Sequence, residues 1–219
     1  MKTTEKARHI ATPAPGTINR EAAIEDGSVW ALVLTNLAVL ALALYFGWSL
    51  AEMVAVYWTQ SVIIGLSYFI RILSLERFST ENFKMNDRAV DPTPATKRQV
   101  ALFFLAHFGI FHLVYAGFVW SGEFGQPPPL NREFWLFVAA FAVNHYYSFR
   151  YHRERDSKGT PNIGTLMFTP YVRVLPMHFI IIFGAFLPVE NLGLLIFGLL
   201  KTIADAVMHQ IEHQKLQMP

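Results

Sequence analysis

The sequence predicts an all-α polytopic membrane bundle of six transmembrane helices, with both termini in the cytoplasm. Three observations lead there. Of the 219 residues, 53% are hydrophobic and 15% aromatic, while only 16% are charged; an ordinary soluble domain carries about 25% charged residues. The charges gather between long uncharged runs instead of mixing into them, as in a chain that crosses a bilayer repeatedly. The basic residues then fall in alternate connections, which fixes a direction.

Residues 1–28, MKTTEKARHIATPAPGTINREAAIEDGS, are charged, carry a Pro/Gly patch and lack the apolar core of a signal peptide. They read as a disordered cytoplasmic tail. The membrane domain covers 29–213. Its first span, 29–46, holds no charge. The second, 50–73, opens with Ser49-x-x-Glu52, the pattern of a capping box. The third is 99–120. The fourth, 134–149, is aromatic-rich and at the lower edge of the roughly 17–25 residues that a span needs. The fifth, 169–187, starts at Thr169-Pro170, a polar cap followed by proline at the first helical position. The sixth is 191–213, and 214–219 form a short tail. The connection over 74–96 is the longest; its first half is expected to lie as an interfacial helix, and Asp91-Pro92-Thr93-Pro94 leads stiffly into the third span.

Lys2, Lys6, Arg8 and Arg20 precede the first span. Arg77, Lys84, Arg88, Lys97 and Arg98 follow the second, and Arg150, Arg153, Arg155 and Lys158 follow the fourth. The other connections contain only Arg132. Six spans with both ends inside put every basic segment on the cytoplasmic side of the cell membrane. Lipid is the implied partner. A net charge of +2 gives no reason to expect nucleic acid, and the absence of cysteine excludes disulfides and thiolate metal sites. Any metal would rest on His, Asp, Glu or backbone ligands.

Ionisable groups in hydrocarbon are costly and normally face the bundle interior. At 1.5 Å per residue, His107 lies roughly 12 Å above the cytoplasmic end of the third span, and His178 roughly 13 Å above the start of the fifth. Asp205 and His209 lie roughly 12 Å and 6 Å above the end of the sixth, and Asn144 and His145 roughly 6–8 Å up the fourth. His107, His178, Asp205 and His209 thus come to the same half of the membrane and form a candidate metal-ligand set, with His213 and His145 as secondary members. Lys201, Asp205, His209 and His213 recur every fourth residue and share one helix face. Lys201 is placed to neutralise Asp205. Asn36 and Gln60 sit mid-span and are placed to bridge helices. Arg173 and Pro176 precede His178, and Pro176 releases the carbonyl of Val172 from helix bonding.

Tyr57-Trp58, His107 in FFLAHFGIFH, Phe118, the stretch RVLPMHFIIIFG and the face KTIADAVMHQIEH together resemble a prokaryotic multi-pass membrane family of unknown function found in haloarchaea and bacteria. The resemblance spans 29–213 and implies architecture and attention to the His/Asp positions, not a reaction. Where that family has an acidic residue after the Tyr-Trp pair, this chain has Thr59-Gln60. That argues against a carboxylate ligand from the second span. A looser likeness is to seven-span zinc hydrolases related to alkaline ceramidases: His209-x-x-x-His213 is similar to their late HxxxH, and Ser61 or Ser67 would stand for their serine.

Several functions stay open at this level. One is a metal-dependent enzyme acting on a lipid-like substrate, with zinc activating water, or iron or copper supporting oxidation. Another is electron transfer through haem b, with His107 and His178 as axial ligands. A third is proton-coupled transport through Asp205, His209 and Lys201. A fourth is a purely structural role for these groups. The topology is directly testable. Pro127→Cys should react with an impermeant maleimide added outside intact cells, and Arg155→Cys only after permeabilisation. The reverse pattern would invert the orientation.

Overall fold

The computed structural model describes residues 20–123, 126–183 and 190–214, without the side chains of 20–29, 31–32, 190–191 and 209–214. The expectations for 1–19 and 215–219 lie outside the described residues. Six helices carry most of the chain: α1 (Arg20–Tyr45), α2 (Leu50–Ser74), α3 (Pro94–Trp120), α4 (Arg132–Lys158), α5 (Ile163–Phe183) and α6 (Glu190–Gln214). Of these, α2, α3 and α5 are long and apolar enough to cross a membrane, and α1 contains a shorter apolar stretch, Val33–Tyr45. Large apolar side chains also cover the outside, including Leu66 and Ile70 on α2, Leu102 and Leu113 on α3, and Phe179 on α5. Such a surface suits lipid better than water.

The helix α2 is central. It packs on α3, α4, α5 and α6, while α1 packs on α6. Paired side chains fix the directions. Gly65 and Ser61 of α2 meet Phe108 and His112 of α3, so these two helices are antiparallel. Gln60 and Arg71 meet His145 and Asp156, so α2 and α4 are parallel. Asn36 and Leu40 of α1 meet Asp205 and Gly198 of α6, again antiparallel. Two glycines permit these approaches. A Cβ on Gly65 would fall 2.4 Å from a Phe108 ring carbon, and one on Gly198 2.8 Å from a Leu40 methyl. Small residues at such crossings bring backbones close enough for dispersion to hold helices together where lipid removes the hydrophobic drive.

Helix ends follow their local chemistry. At the start of α2 the Ser49 hydroxyl accepts from the Glu52 amide at 3.1 Å, and Glu52 accepts from the Ser49 amide at 2.8 Å, completing the capping box. Its other end is capped across a loop, where Lys97 Nζ donates to the Leu75 carbonyl at 2.6 Å. Asn162 caps α5 by accepting from the Thr165 amide at 3.0 Å. The helix therefore starts at Ile163, ahead of Thr169-Pro170, and both Pro170 and Pro176 lie inside it. Proline lacks an N–H and frees a carbonyl one turn back, yet membrane helices tolerate it when neighbours repair the loss. Thr169 bonds the Thr165 carbonyl at 2.7 Å and so stays a helical residue instead of acting as a cap.

The expected interfacial helix after α2 is absent among the described residues. A two-stranded antiparallel hairpin, β1 (Lys84–Met85) and β2 (Arg88–Ala89), takes part of that connection. Asn86 and Asp87 form its turn with φ of 50° and 61°, the left-handed pair that a two-residue hairpin turn needs and that Asn and Asp tolerate. Ser79 pairs with the connection before α5: its amide donates to the Pro161 carbonyl and its carbonyl accepts from the Ile163 amide, both at 3.0 Å. Two loops are thus sewn together at the basic end of the bundle.

The helix α4 runs past Phe149 to Lys158 because its last turns have a partner. Arg71 Nε and Nη2 donate to the two oxygens of Asp156 at 2.9 and 3.2 Å, with both residues buried. The guanidinium also lies 4.7 Å from the Tyr68 ring centroid. A planar bidentate pair satisfies both charges with one geometry. Beyond it, exposed Glu154 is held below the usual carboxylate range by the Lys158 ammonium 2.6 Å away. Asp156→Ala leaves the Arg71 charge buried alone, and should lower the unfolding free energy in detergent by about 3–5 kcal/mol. Glu154→Ala, on the exposed side of the same turn, should leave it unchanged.

Candidate functional site

The four-residue periodicity near the end of the chain brings Lys201 and Asp205 onto one buried face of α6. The Lys201 ammonium donates to Asp205 Oδ2. Asn36 of α1 donates to the same oxygen at 3.0 Å. Lys201 also lies 4.9 Å from the Tyr57 ring centroid on α2, a cation–π contact. The clamp thus joins three helices, with the carboxylate itself held from α6 and α1, and unevenly. Its second oxygen, Oδ1, is buried and has no hydrogen-bond partner among the described residues. A carboxylate has about four acceptor positions. Leaving one whole oxygen unmet in an apolar interior costs about 1–3 kcal/mol or more.

Next to this clamp, Tyr57, Gln60, Ser61, Arg173 and Lys201 surround a cavity of about 10 Å³, close to the lower limit for a single water. Gln60 joins it to α4: its Nε2 lies 3.3 Å from His145 Nε2. An amide nitrogen only donates, so with the amide assigned this way Nε2 of His145 accepts and its proton sits on Nδ1. His145 is also within electrostatic reach of Arg173, Lys201 and Asp205. On its far side a larger cavity of about 140 Å³ extends along α4 to Arg71 and His152 at the basic end. Polar groups from α1, α2, α4, α5 and α6 therefore run continuously from Asn36 to Arg71.

The remaining histidines are arranged differently. His107 is exposed, and its Nδ1 bonds the Tyr171 hydroxyl of α5 at 2.9 Å. Tyr115 of α3 bonds Nδ1 of His178 at 2.8 Å. These two Tyr–His bonds clasp α3 and α5, which run parallel. They also give the levels. His107 is level with Tyr171, so His178 lies roughly 10 Å further along the bundle than His107. Counting residues from the helix starts hides that offset, because α3 begins at Pro94 and α5 at Ile163 and the two starts are not level. His112 is buried, with Nδ1 2.8 Å from the Phe108 carbonyl and Nε2 2.9 Å from Ser61 Oγ. A carbonyl only accepts, so Nδ1 carries the proton and neutral Nε2 accepts from the serine. This is the geometry of an activated serine, but the cavity beside Ser61 has no room for a substrate acyl group. Here it joins α2 to α3.

Three of the four residues proposed as one ligand set thus have separate partners: His107 with Tyr171, His178 with Tyr115, and Asp205 with Lys201 and Asn36. Nitrogen ligands about 2.0–2.1 Å from one zinc lie no more than about 4 Å apart, less than the offset between His107 and His178. Among the described residues no three His, Asp or Glu side chains form a metal-holding group. The side chains of His209 and His213 lie outside the described residues. His145, the secondary member, belongs to the Asp205 network and not to the His107 clasp. Gln60 had a sequence signal only as a mid-span polar residue. The Tyr171 and Asp156 roles had none, because each depends on a partner far away in the chain.

The family model for a family of unknown function, DUF6498, matches residues 19–219. The chain belongs to this family. No curated protein and no solved structure matches it. The matched residues include all six helices.

The clamp has a measurable signature. Lys201→Met leaves Asp205 charged and uncompensated, and should destabilise the detergent-solubilised protein by about 3–5 kcal/mol. Adding Asp205→Asn to that variant should restore most of the loss. A double variant as unstable as the single one would show that Lys201 does not act through Asp205.

Proposed function

We infer that the chain is an integral membrane protein of six spans, with both ends cytoplasmic, and that it is a proton-coupled transporter in which Asp205 takes up protons from the cytoplasmic side. The alternating directions of the helices and the gathering of basic residues at one end support the topology. The single observation that carries the function is Asp205 Oδ1: a buried carboxylate oxygen without a partner, beside an ammonium that already neutralises the ionised form. Protonation gives that oxygen an O–H and leaves Lys201 a buried cation, and release of the Lys201 proton then returns the pair to neutrality, so the pair can pass a proton on. The small cavity, Gln60 and His145 then offer a path of donors and acceptors to the 140 Å³ cavity at the basic end. An intramembrane acid in contact with such a path is the usual element of a proton relay.

A metal-centre or haem reading draws less support, since the separate Tyr partners of His107 and His178 and their offset leave neither ligand set assembled. A structural reading has one observation in its favour. Lys201 and Asp205 neutralise each other within one helix, and Asn36 ties them to α1. The two readings part in vesicles. With an internal pH dye and an imposed potential, reconstituted protein should admit protons. Asp205→Asn should slow entry about a hundredfold, and His145→Phe by a smaller factor, while both still fold. Vesicles as proton-tight as protein-free ones would leave the structural reading.

A further inference from the structure

Between α3 and α5 lies another cavity, of about 170 Å³, that the proton path does not use. We propose that it is a binding site for a lipid-soluble quinone, a six-membered ring with two opposed carbonyls carried on an apolar tail.

Its wall is almost wholly aromatic and aliphatic, from Phe108, Phe111 and Tyr115 on α3 and Tyr171, Val174 and His178 on α5. The rings brace one another. Phe108 meets Tyr171 edge-on with centroids 5.4 Å apart, and Phe111 lies 6.1 Å from Tyr115. Such walls suit a flat, electron-poor ring, whose faces stack on electron-rich ones. No lysine, arginine or carboxylate lines the cavity, so the ligand it suits is neutral. The polar groups are few and stand at two levels. Tyr171 is bonded to His107 at one, and Tyr115 to His178 at the other. Neither pair has a further side-chain hydrogen bond among the described residues. A neutral imidazole carries its proton on either nitrogen. When Nδ1–H donates to the tyrosine oxygen, the tyrosine O–H is left over. Each pair can therefore turn one O–H to an acceptor in the cavity, as in sites that are mostly apolar with a small number of placed polar groups.

The spacing selects the ligand. His107 and Tyr115 are eight residues apart on α3, and Tyr171 and His178 seven apart on α5, so the two levels lie about 10–12 Å from each other. One hydrogen bond of about 2.8 Å at each end leaves about 5–6 Å between the two acceptors. That is the separation of carbonyl oxygens on opposite carbons of a six-membered ring. A volume of about 170 Å³ equals roughly five or six waters, enough for one such ring and too little for a sterol. Phe111 and Leu175 of the wall are exposed, which puts the mouth on the outside of the bundle. Both α3 and α5 are long and apolar enough to cross a membrane, so the mouth faces lipid and the tail leaves there. The site depends neither on proton transport by Asp205 nor on the number of spans.

Two probes test it. Protein in neutral detergent is titrated with decyl-para-benzoquinone and, in parallel, with decylbenzene, which has the tail and a ring without carbonyls. Binding is followed by thermal unfolding and by quenching of tryptophan fluorescence. Trp58 is a near reporter, because its Nε1 donates to the carbonyl of His112, whose side chain belongs to the cavity wall. Saturable stabilisation and quenching should come from the quinone, at concentrations where decylbenzene gives neither. Tyr171→Phe should weaken the quinone roughly five- to tenfold, the loss of one hydrogen bond, and Tyr115→Phe/His178→Phe likewise. Leu175→Trp fills the mouth without touching either Tyr–His bond, should raise the quinone concentration needed for stabilisation by at least as much, and serves if the other variants do not fold. Leu113→Trp, on the outer face of α3, should leave the response unchanged. Equal responses to the two probes would make the cavity a groove for any apolar chain and overturn the proposal. So would no response to either, or a quinone response undiminished in Tyr171→Phe and Leu175→Trp. Quinone binding that persists in Asp205→Asn, with proton entry lost, separates this site from the transport reading.

Discussion

The bundle is governed by the cost of placing charge in an apolar interior. Two carboxylates, Asp156 and Asp205, are buried, and each has found a cation, Arg71 in one case and Lys201 in the other. Those partners dictate much else. Arg71 draws the last turns of α4 against α2, so that helix continues well beyond its aromatic stretch. Asp205 needs a second donor, and Asn36 on α1 supplies it. Remove the charges and α4 would keep the Gln60–His145 bond to α2, but much of the hold on α1 and α4 would pass to apolar faces, for which lipid is no worse a partner than protein. The polar pairs therefore choose the partners and the glycines at 65 and 198 set how close they come.

How far the sequence could be read follows from the range of each interaction. Local signals survived the comparison. The Ser49-x-x-Glu52 box is closed at both ends, Lys201 does pair with Asp205 one turn away, and Asn36 and Gln60 do bridge helices. Each of the six apolar stretches has a corresponding helix, with Phe46 lying past the end of α1 and 184–187 outside the described residues. Boundaries failed where a cap came from an unexpected residue. Asn162 starts α5 well before Thr169-Pro170, α3 starts at Pro94, and the two starts are not level, so residues counted from them do not compare in depth. His178 is the example: it pairs with Tyr115, not with anything near His107. A depth argument is only as good as the helix start it counts from. The hairpin at 84–89 was hidden because its turn signal, Asn86-Asp87, is short and lies among charged residues.

The same reasoning separates the two groups of histidines. Those on α3, at 107 and 112, and His178 on α5, have tyrosine, serine or backbone partners across a helix pair, and they act as fasteners. His145 is different, because it stands between a buried ion pair on one side and a roomy basic cavity on the other. Its role could not be read from its neighbours Tyr146 and Tyr147, which look like an interfacial belt. What matters is that Gln60, Arg173 and Lys201 arrive from three other helices.

The packing of α1 on α6 has a consequence for biogenesis. The helix α1 leans on α6, and four other helices are made between the two. Until α6 emerges from the ribosome, Asn36 has no Asp205 and the groove over Leu40 has no Gly198. During that interval α1 is a lone hydrophobic segment with a bare amide, dependent on the insertion machinery or on lipid to shelter it. In the six-span arrangement inferred above, α6 brings an acid and a base into the membrane together, already paired one turn apart. Its arrival closes the ring of helices and completes the interior in one step, so truncation just before it would leave a chain that is inserted but not assembled.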